Sequence, residues 1–343
     1  VVNTTDITDY TSIEYKEYMD NLIKYTKDGI TYINKKGESI WSESFDMKMP
    51  EAVVSGEYVA VADLNGKDVY IFDSKGKVSD IKMTQIICDV DVASQGVFVV
   101  ILEDTDKNYI NLYDKNGEII TEMQTTIDKS GYPLDVTLSE DGKKLFTSYV
   151  YVDGVEVKNG LAAYNFGSVG QNENSDRLMG GYKFADTIIP KVEFLDNNTV
   201  CAFGDNQFII YSMKEKPSEK ATVKFDHEIK SIFYTSDYVG VVYANDEAKA
   251  SEQYTLEVFN TNGKTVLKKN FDIAYNKIHL IDNEIVVIGD SDCNIYTLKG
   301  RLKFSYSFED KVIDIIPSNN NNEYIVLHED RLDTIKLKHS KNK

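Results

Sequence analysis

Four times along the chain an apolar strand runs into Asp or Asn, turns at a Gly three residues later, and resumes as a second strand. The copies are residues 30–39 (ITYINKKGES), 69–78 (VYIFDSKGKV), 110–119 (INLYDKNGEI) and 256–265 (LEVFNTNGKT). Asp and Asn side chains bond back to the backbone of such turns, and Gly supplies the positive φ they require. A unit of roughly 40 residues, repeated and built of strands alone, predicts a β-propeller.

Each unit parses into four strands, A to D from the hub outward. In the clearest unit A is 52–54, B is 58–61, C is 69–72 and D starts at Val78. The B strands recur at 97–101, 238–243, 285–288 and 324–327 as near-continuous apolar runs, the pattern of strands covered on both faces. Seven A–B hairpins fall between Ala52 and Ile315, a further B–C–D set spans Leu22 to Phe45, and the last unit (312–337) lacks a D strand. Eight blades follow if 12–18 is the first A strand and 1–7 is the outer strand of the last blade. Seven blades, the alternative, leave the N-terminal strands without a place. The expectation is one all-β propeller domain over 1–343, with repeats from about 21 to about 338.

Composition narrows the partners. With 42% hydrophobic and 27% charged residues the chain is that of a folded protein, and 38 basic against 56 acidic residues leave a net charge of −18. Such a field repels nucleic acid and anionic membrane, and suits a basic partner, a cation or plain solubility. Cys88, Cys201 and Cys293 form no CxxC pair, and Cys88 and Cys201 sit in apolar strands as small hydrophobes. The sequence starts Val1-Val2, which suggests processing from something longer, such as a signal peptide or membrane anchor. No retained segment approaches the ~20 apolar residues of a membrane helix.

The hairpin unit, with Ile40-Trp41 closing its first copy, resembles the repeat of quinoprotein-like (PQQ-like) and WD40-like propellers. The stretch Lys27-Asp28-Gly29-Ile30-Thr31-Tyr32, with Gly37, Trp41 and Pro50, more closely resembles an uncharacterised family of Gram-positive bacterial proteins. That resemblance implies an extracytoplasmic propeller tethered to the membrane by an N-terminal anchor upstream of residue 1. It brings no catalytic residues. Quinoprotein repeats carry a Trp in each blade and this chain has only Trp41, so no quinone cofactor is expected.

Candidate sites sit on the connections and at the hub. The D–A connections share a Phe-Asp signature at Phe45-Asp46, Phe184-Ala185-Asp186, Phe225-Asp226, Phe271-Asp272 and Phe308-Glu309-Asp310. Its recurrence assigns the Phe to sealing the blade and the Asp to capping the turn. Two B–C connections, Asp104-Thr105-Asp106-Lys107-Asn108 and Asp290-Ser291-Asp292-Cys293-Asn294, have the D-x-D-x-N spacing with which loops collect oxygens for Ca²⁺. Tyr109 and Ile295 replace the Gly of an EF-hand loop and no Glu stands at its twelfth position, so calcium is not expected to bind. Longer B–C connections at 153–160 and 245–253 offer loops on a rigid scaffold, and a polar turn is expected over 167–181. The A strands carry Asp89, Asp91, Asp135, Glu193, Lys230, Lys277, His279 and Asp314. A wet channel needs polar lining in any case, but the acids among them (Asp89, Asp91, Asp135, Glu193, Asp314) are the candidate ligand-binding set.

No catalytic residue is assigned. The four histidines are scattered, and no HExxH, GxSxG, P-loop or dinucleotide fingerprint occurs. The expected function is a non-enzymatic binding or scaffold module that meets a protein or peptide, favourably a basic one, on its B–C loop face. The alternative is a hydrolase or carbohydrate-active enzyme with carboxylates such as Asp89, Asp135 and Asp314 at the hub.

Overall fold

The computed structural model describes residues 3–6, 13–126, 130–168, 170, 177–214, 216–245, 252–318, 320 and 322–337. They form eight four-stranded sheets, and the fold is an eight-bladed antiparallel β-propeller. Blades 1 to 7 span 14–44, 50–82, 86–125, 132–184, 191–224, 229–271 and 277–307; blade 8 joins 314–336 to Asn3–Asp6. The two N-terminal expectations hold. Glu14–Tyr18 is the first strand of blade 1, and Asn3–Asp6 pairs antiparallel with Arg331–Lys336 as the fourth strand of blade 8.

The repeated turn owes its shape to one side chain. Asn34, Asp114 and Asn260 each accept the N–H groups two and four residues ahead through Oδ1, at 2.9–3.1 Å. The Gly that follows sits at φ 84° in Gly37, 87° in Gly117 and 74° in Gly263. A further copy has Thr297 in the capping place and Gly300 at φ 77°. Gly76 is also left-handed, at φ 125°, although Asp73 and Gly76 are there directly paired. Beside this turn the fourth strand of blades 2 to 7 carries a bulge at an equivalent point, opposite Ile71/Phe72, Leu112/Tyr113, Ala163/Tyr164, Ile210/Tyr211, Val258/Phe259 and Ile295/Tyr296 of the third.

The chain separates into two compact units. One comprises Val1–Thr26, Thr31–Ile40 and His227–Lys343, the other Lys27–Ile30 and Trp41–Asp226. In the second unit each blade sandwiches apolar strands against the next: Val100 and Leu102 meet Ala60 and Ile71, while Val99 and Ile101 meet Val136 and Leu145. In the first unit Val286 and Ile295 meet Ile315 and Val326, and Ile316 and Leu327 meet Tyr15 and Leu22. Burial on both faces is why strands such as Tyr58–Asp63 are buried at every position.

Three expectations change in detail. The turn after Phe45 is capped by Asp63, whose Oδ1 accepts the N–H groups of Lys48 and Met49 at 2.9 and 2.8 Å, rather than by Asp46. Phe45 and Phe271 are buried as expected, while Asp310 pairs with Arg331. Residues 153–160 are not a loop. Lys144–Asp153 and Glu156–Asn165 are ten-residue strands joined by Gly154-Val155, with Gly154 at φ 68°, where the other strands have four to seven residues. Residues 246–251 and most of 167–177 lie outside the described residues, and the expected polar turn ends early, because Leu178–Phe184 is a strand. Cys201 is buried; Cys88 is half-buried, and the three thiols are free.

Candidate functional site

The predicted hub acids form two groups, one in each unit. Asp89 and Asp91 lie on the inner strand Ile86–Val92 of blade 3, Asp135 on Tyr132–Leu138 of blade 4, and Glu193 with Lys191 on Lys191–Asp196 of blade 5. Alternate strand residues share a face, so the pairs 89/91, 135/137 and 191/193 point the same way in successive blades. Bulges at Ile87/Asp89 and Pro133/Asp135 set the aspartates at the strand edge.

Most of these oxygens are spent on backbone. Asp89 accepts the N–H of Val90 at 2.9 Å and of Val136 in the next blade at 3.0 Å. Asp91 does the same with Val92 at 2.8 Å and Leu138 at 2.7 Å. Asp135 accepts Val192 N–H at 2.7 Å and the Lys191 ammonium at 3.2 Å, and Thr137 Oγ1 accepts Phe194 N–H at 3.1 Å. The inner edge of a propeller blade has no strand neighbour to take its N–H groups, and these side chains stand in for one. They stitch blade 3 to blade 4 and blade 4 to blade 5.

Four carboxylates then surround one ammonium, which lies 3.5 Å from Glu193. Burial raises the Asp89 and Asp135 carboxyls, with Lys191 opposing the shift. Burial, seconded by repulsion from Glu193, pushes Asp91 up to about 7.

Asp314 belongs to the other unit. Its Oδ1 accepts Ile315 N–H at 2.8 Å, and its carboxylate pairs with Lys277. His279 Nδ1 lies 3.5 Å from Asp314, its Nε2 lies 3.2 Å from the Ile315 carbonyl, and burial holds the ring below its usual pKa. Glu17, raised by burial, feels Lys35 and Asp314. The sequence reading missed Thr137, Lys191 as a stitch partner, and Glu17; the two-residue spacing in successive A strands was the signal for the first two.

The D-x-D-x-N segments do not gather their oxygens. Asp104 caps its own turn through Thr105 N–H at 2.8 Å, whereas Asn108 is buried at the start of a strand. Asp290 accepts Asn276 Nδ2 at 2.6 Å, Asp292 accepts the Ser307 hydroxyl, and Asn294 is buried, donating to Tyr296 at 2.9 Å. Asp106 is exposed. Among the described residues no group of three or more His, Cys, Asp or Glu is placed to hold a metal ion.

On the B–C side, the arm formed by 151–158 in blade 4 projects beyond the pairing of its neighbours, which stops at Val150 and Asn159. Val152 and Val157 face each other across it, 57% and 55% exposed, and Val155 at its tip is 99% exposed. Lys158 pairs with Asp153 at 2.8 Å and Glu156 at 3.4 Å on the opposite face.

Eight hairpin-built blades with quinoprotein-like and WD40-like repeats define the class: a β-propeller without a recognisable catalytic motif. Within that class the chain belongs to a family of unknown function, DUF5711, whose model matches residues 1–337. Solved structures similar in fold include BamB from Moraxella catarrhalis, at TM-score 0.61 and 11% identity over 98% of this chain and 99% of that one. Sqt1 from Chaetomium thermophilum matches at 0.61 and 10% over 93% of each chain, and Hsv2 from Kluyveromyces lactis at 0.54 and 12% over 84% and 95%. No curated protein matches the sequence.

Proposed function

We propose that this protein is a non-enzymatic binding module that meets a protein partner on its B–C loop face. The observation that carries the reading is the blade 4 arm, whose valines are exposed side by side on a rigid two-stranded scaffold. Apolar side chains held out at a strand tip gain most of their burial energy from a partner. The net charge of −18 favours a basic one. An extracytoplasmic setting with an anchor upstream of residue 1 completes the reading, and rests on the family resemblance alone.

A hydrolase at the hub would need a carboxylate with an oxygen left for a substrate. Of the acids named for that role, Asp89 has each oxygen on a backbone N–H group, Asp135 has its two on Val192 N–H and Lys191, and Asp314 has its two on Ile315 N–H and Lys277; Asp91 beside them is held as Asp89 is. The test is affinity capture from the native cell envelope with the wild-type chain and a Val152→Ser/Val155→Ser/Val157→Ser variant. A protein captured by the first and lost from the second supports the reading. Equal capture by both would reject the arm as the binding surface, and substrate turnover abolished by Asp135→Asn would reject the non-enzymatic role.

A further inference from the structure

Blade 4 also carries a cleft on its outer strands. The bulge opposite each third strand aligns blades 2 to 7, and places Gly160 with Asp68, Tyr109, Gln207, Thr255 and Asp292. Ala162 corresponds to Tyr70, Asn111, Ile209, Glu257 and Asn294 in the same alignment. Gly181, paired with Ala162, corresponds to Asp80, Glu122, Thr222, Lys268 and Ser305. Among blades 2 to 7, only blade 4 has lost the side chain, or nearly so, at all three. In blade 6 the same place is filled by Glu257 and Lys268, held together at 2.7 Å under Tyr243.

The result is a cleft of about 450 Å³. Its floor is Gly160, Ala162 and Gly181, and among its walls are Tyr149, Tyr151, Tyr164 and Met123. The Tyr149 and Tyr164 hydroxyls lie 3.5 Å apart, and Lys183 stands over the Tyr151 ring at 5.8 Å from its centre. The Gln124 amide joins the polar rim. Among the described residues no carboxylate lines the cleft, and the one cation there, Lys183, is already seated on an aromatic face. That combination of aromatic faces, neutral hydrogen-bonding groups and exposed backbone floor suits neither a cation nor an anion. It suits a flat ring bearing neutral hydroxyls.

We propose that the blade 4 cleft is a carbohydrate-binding site that takes a neutral sugar ring of a glycan between Tyr151 and Tyr164, over the Gly160/Ala162 floor. This site is separate from the exposed valine face of the arm, although Tyr151 stands at the arm's base. A second, sugar-directed contact would let the module hold a glycan-bearing surface and a protein partner together.

Saturation-transfer NMR and calorimetry with cellohexaose, chitohexaose and maltohexaose, added to the intact chain, test the proposal. At least one should bind with a Kd of about 1 mM or tighter. Gly160→Tyr, which transplants the blade 3 residue, should weaken that binding at least about tenfold by filling the cleft. A Cβ at position 160 meets only ordinary contacts, the nearest the Tyr151 ring at 3.6 Å, so the backbone there admits a side chain. A melting temperature matching the wild type shows that the variant is folded, and Tyr151→Ala carries the test if it is not. Tyr151→Ala should weaken binding by about tenfold through the lost ring face. Val155→Ser should leave it unchanged, which separates the site from the protein-binding surface. No binding by any of the three sugars, or binding that survives both cleft variants, overturns the proposal. So does displacement of no sugar but tight capture of a peptide by the same cleft.

Discussion

At the residue scale, the inner-strand aspartates hold the blades in register at an electrostatic cost. Asp91 lies between two backbone donors that favour its ionised form and a Glu193 carboxylate that opposes it, and burial wins. A carboxyl raised to about 7 in the folded chain, from about 3.9 in the unfolded one, makes the folded state the better proton acceptor. Its stabilising contribution is therefore complete below pH 4 and fades as pH rises through 7. Asp89 and Asp135, also raised, act in the same direction. Calorimetric scans should show the melting temperature rising by several degrees between pH 8 and pH 5, and Asp91→Asn should flatten that slope. A flat wild-type profile over this range would show that Lys191 fully offsets the buried charge. Sequence alone displayed these acids but not their use. The choice between a ligand site and a backbone stitch depends on which N–H groups the neighbouring strand presents, and residue types do not record that.

At the element scale, the capped turn was readable because its cause is local. One Asp or Asn Oδ1 and one left-handed Gly suffice, both within five residues. Gly117 has a tighter setting than Gly76: a Cβ there would lie 2.6 Å from Ile81 Cγ1, whereas Gly76 has nothing within 4 Å. Gly117→Ala should accordingly cost about 1 kcal/mol of backbone strain plus the displacement of Ile81, and Gly76→Ala about 1 kcal/mol or less. Urea unfolding of the two variants should keep that order; the reverse order would mean that the turn, not the packing beside it, sets the cost. The arm was misread for a related reason. Asp153-Gly154-Val155-Glu156 has the composition of a loop, and only pairing across the turn shows that both strands continue to it. The cleft was hidden for the opposite reason: Gly160 and Gly181 look like loop glycines until their counterparts in other blades are set beside them.

At the scale of the whole molecule, the blade count followed from two orphan pieces, a last unit without an outer strand and a first segment without a blade. Each explains the other, and Asn3–Asp6 fills the gap on Arg331–Lys336. Removing residues 1–7 should expose that strand's edge, lower the urea midpoint and raise the tendency to associate through the open edge. Sedimentation velocity of the truncated chain, showing monomer with an unchanged midpoint, would mean that the fourth strand is dispensable. The same pairing bears on how the chain is made. Asn3–Asp6 leaves the ribosome before every other strand described and its partner Arg331–Lys336 leaves after them, so the earlier strand must wait, unpaired, while the other blades emerge. Each of those blades is built of strands consecutive in sequence and can form as it emerges, but blade 8 cannot. Completion of the propeller thus waits for Arg331–Lys336, and a chain stalled before that strand displays a free strand edge that the closed one does not.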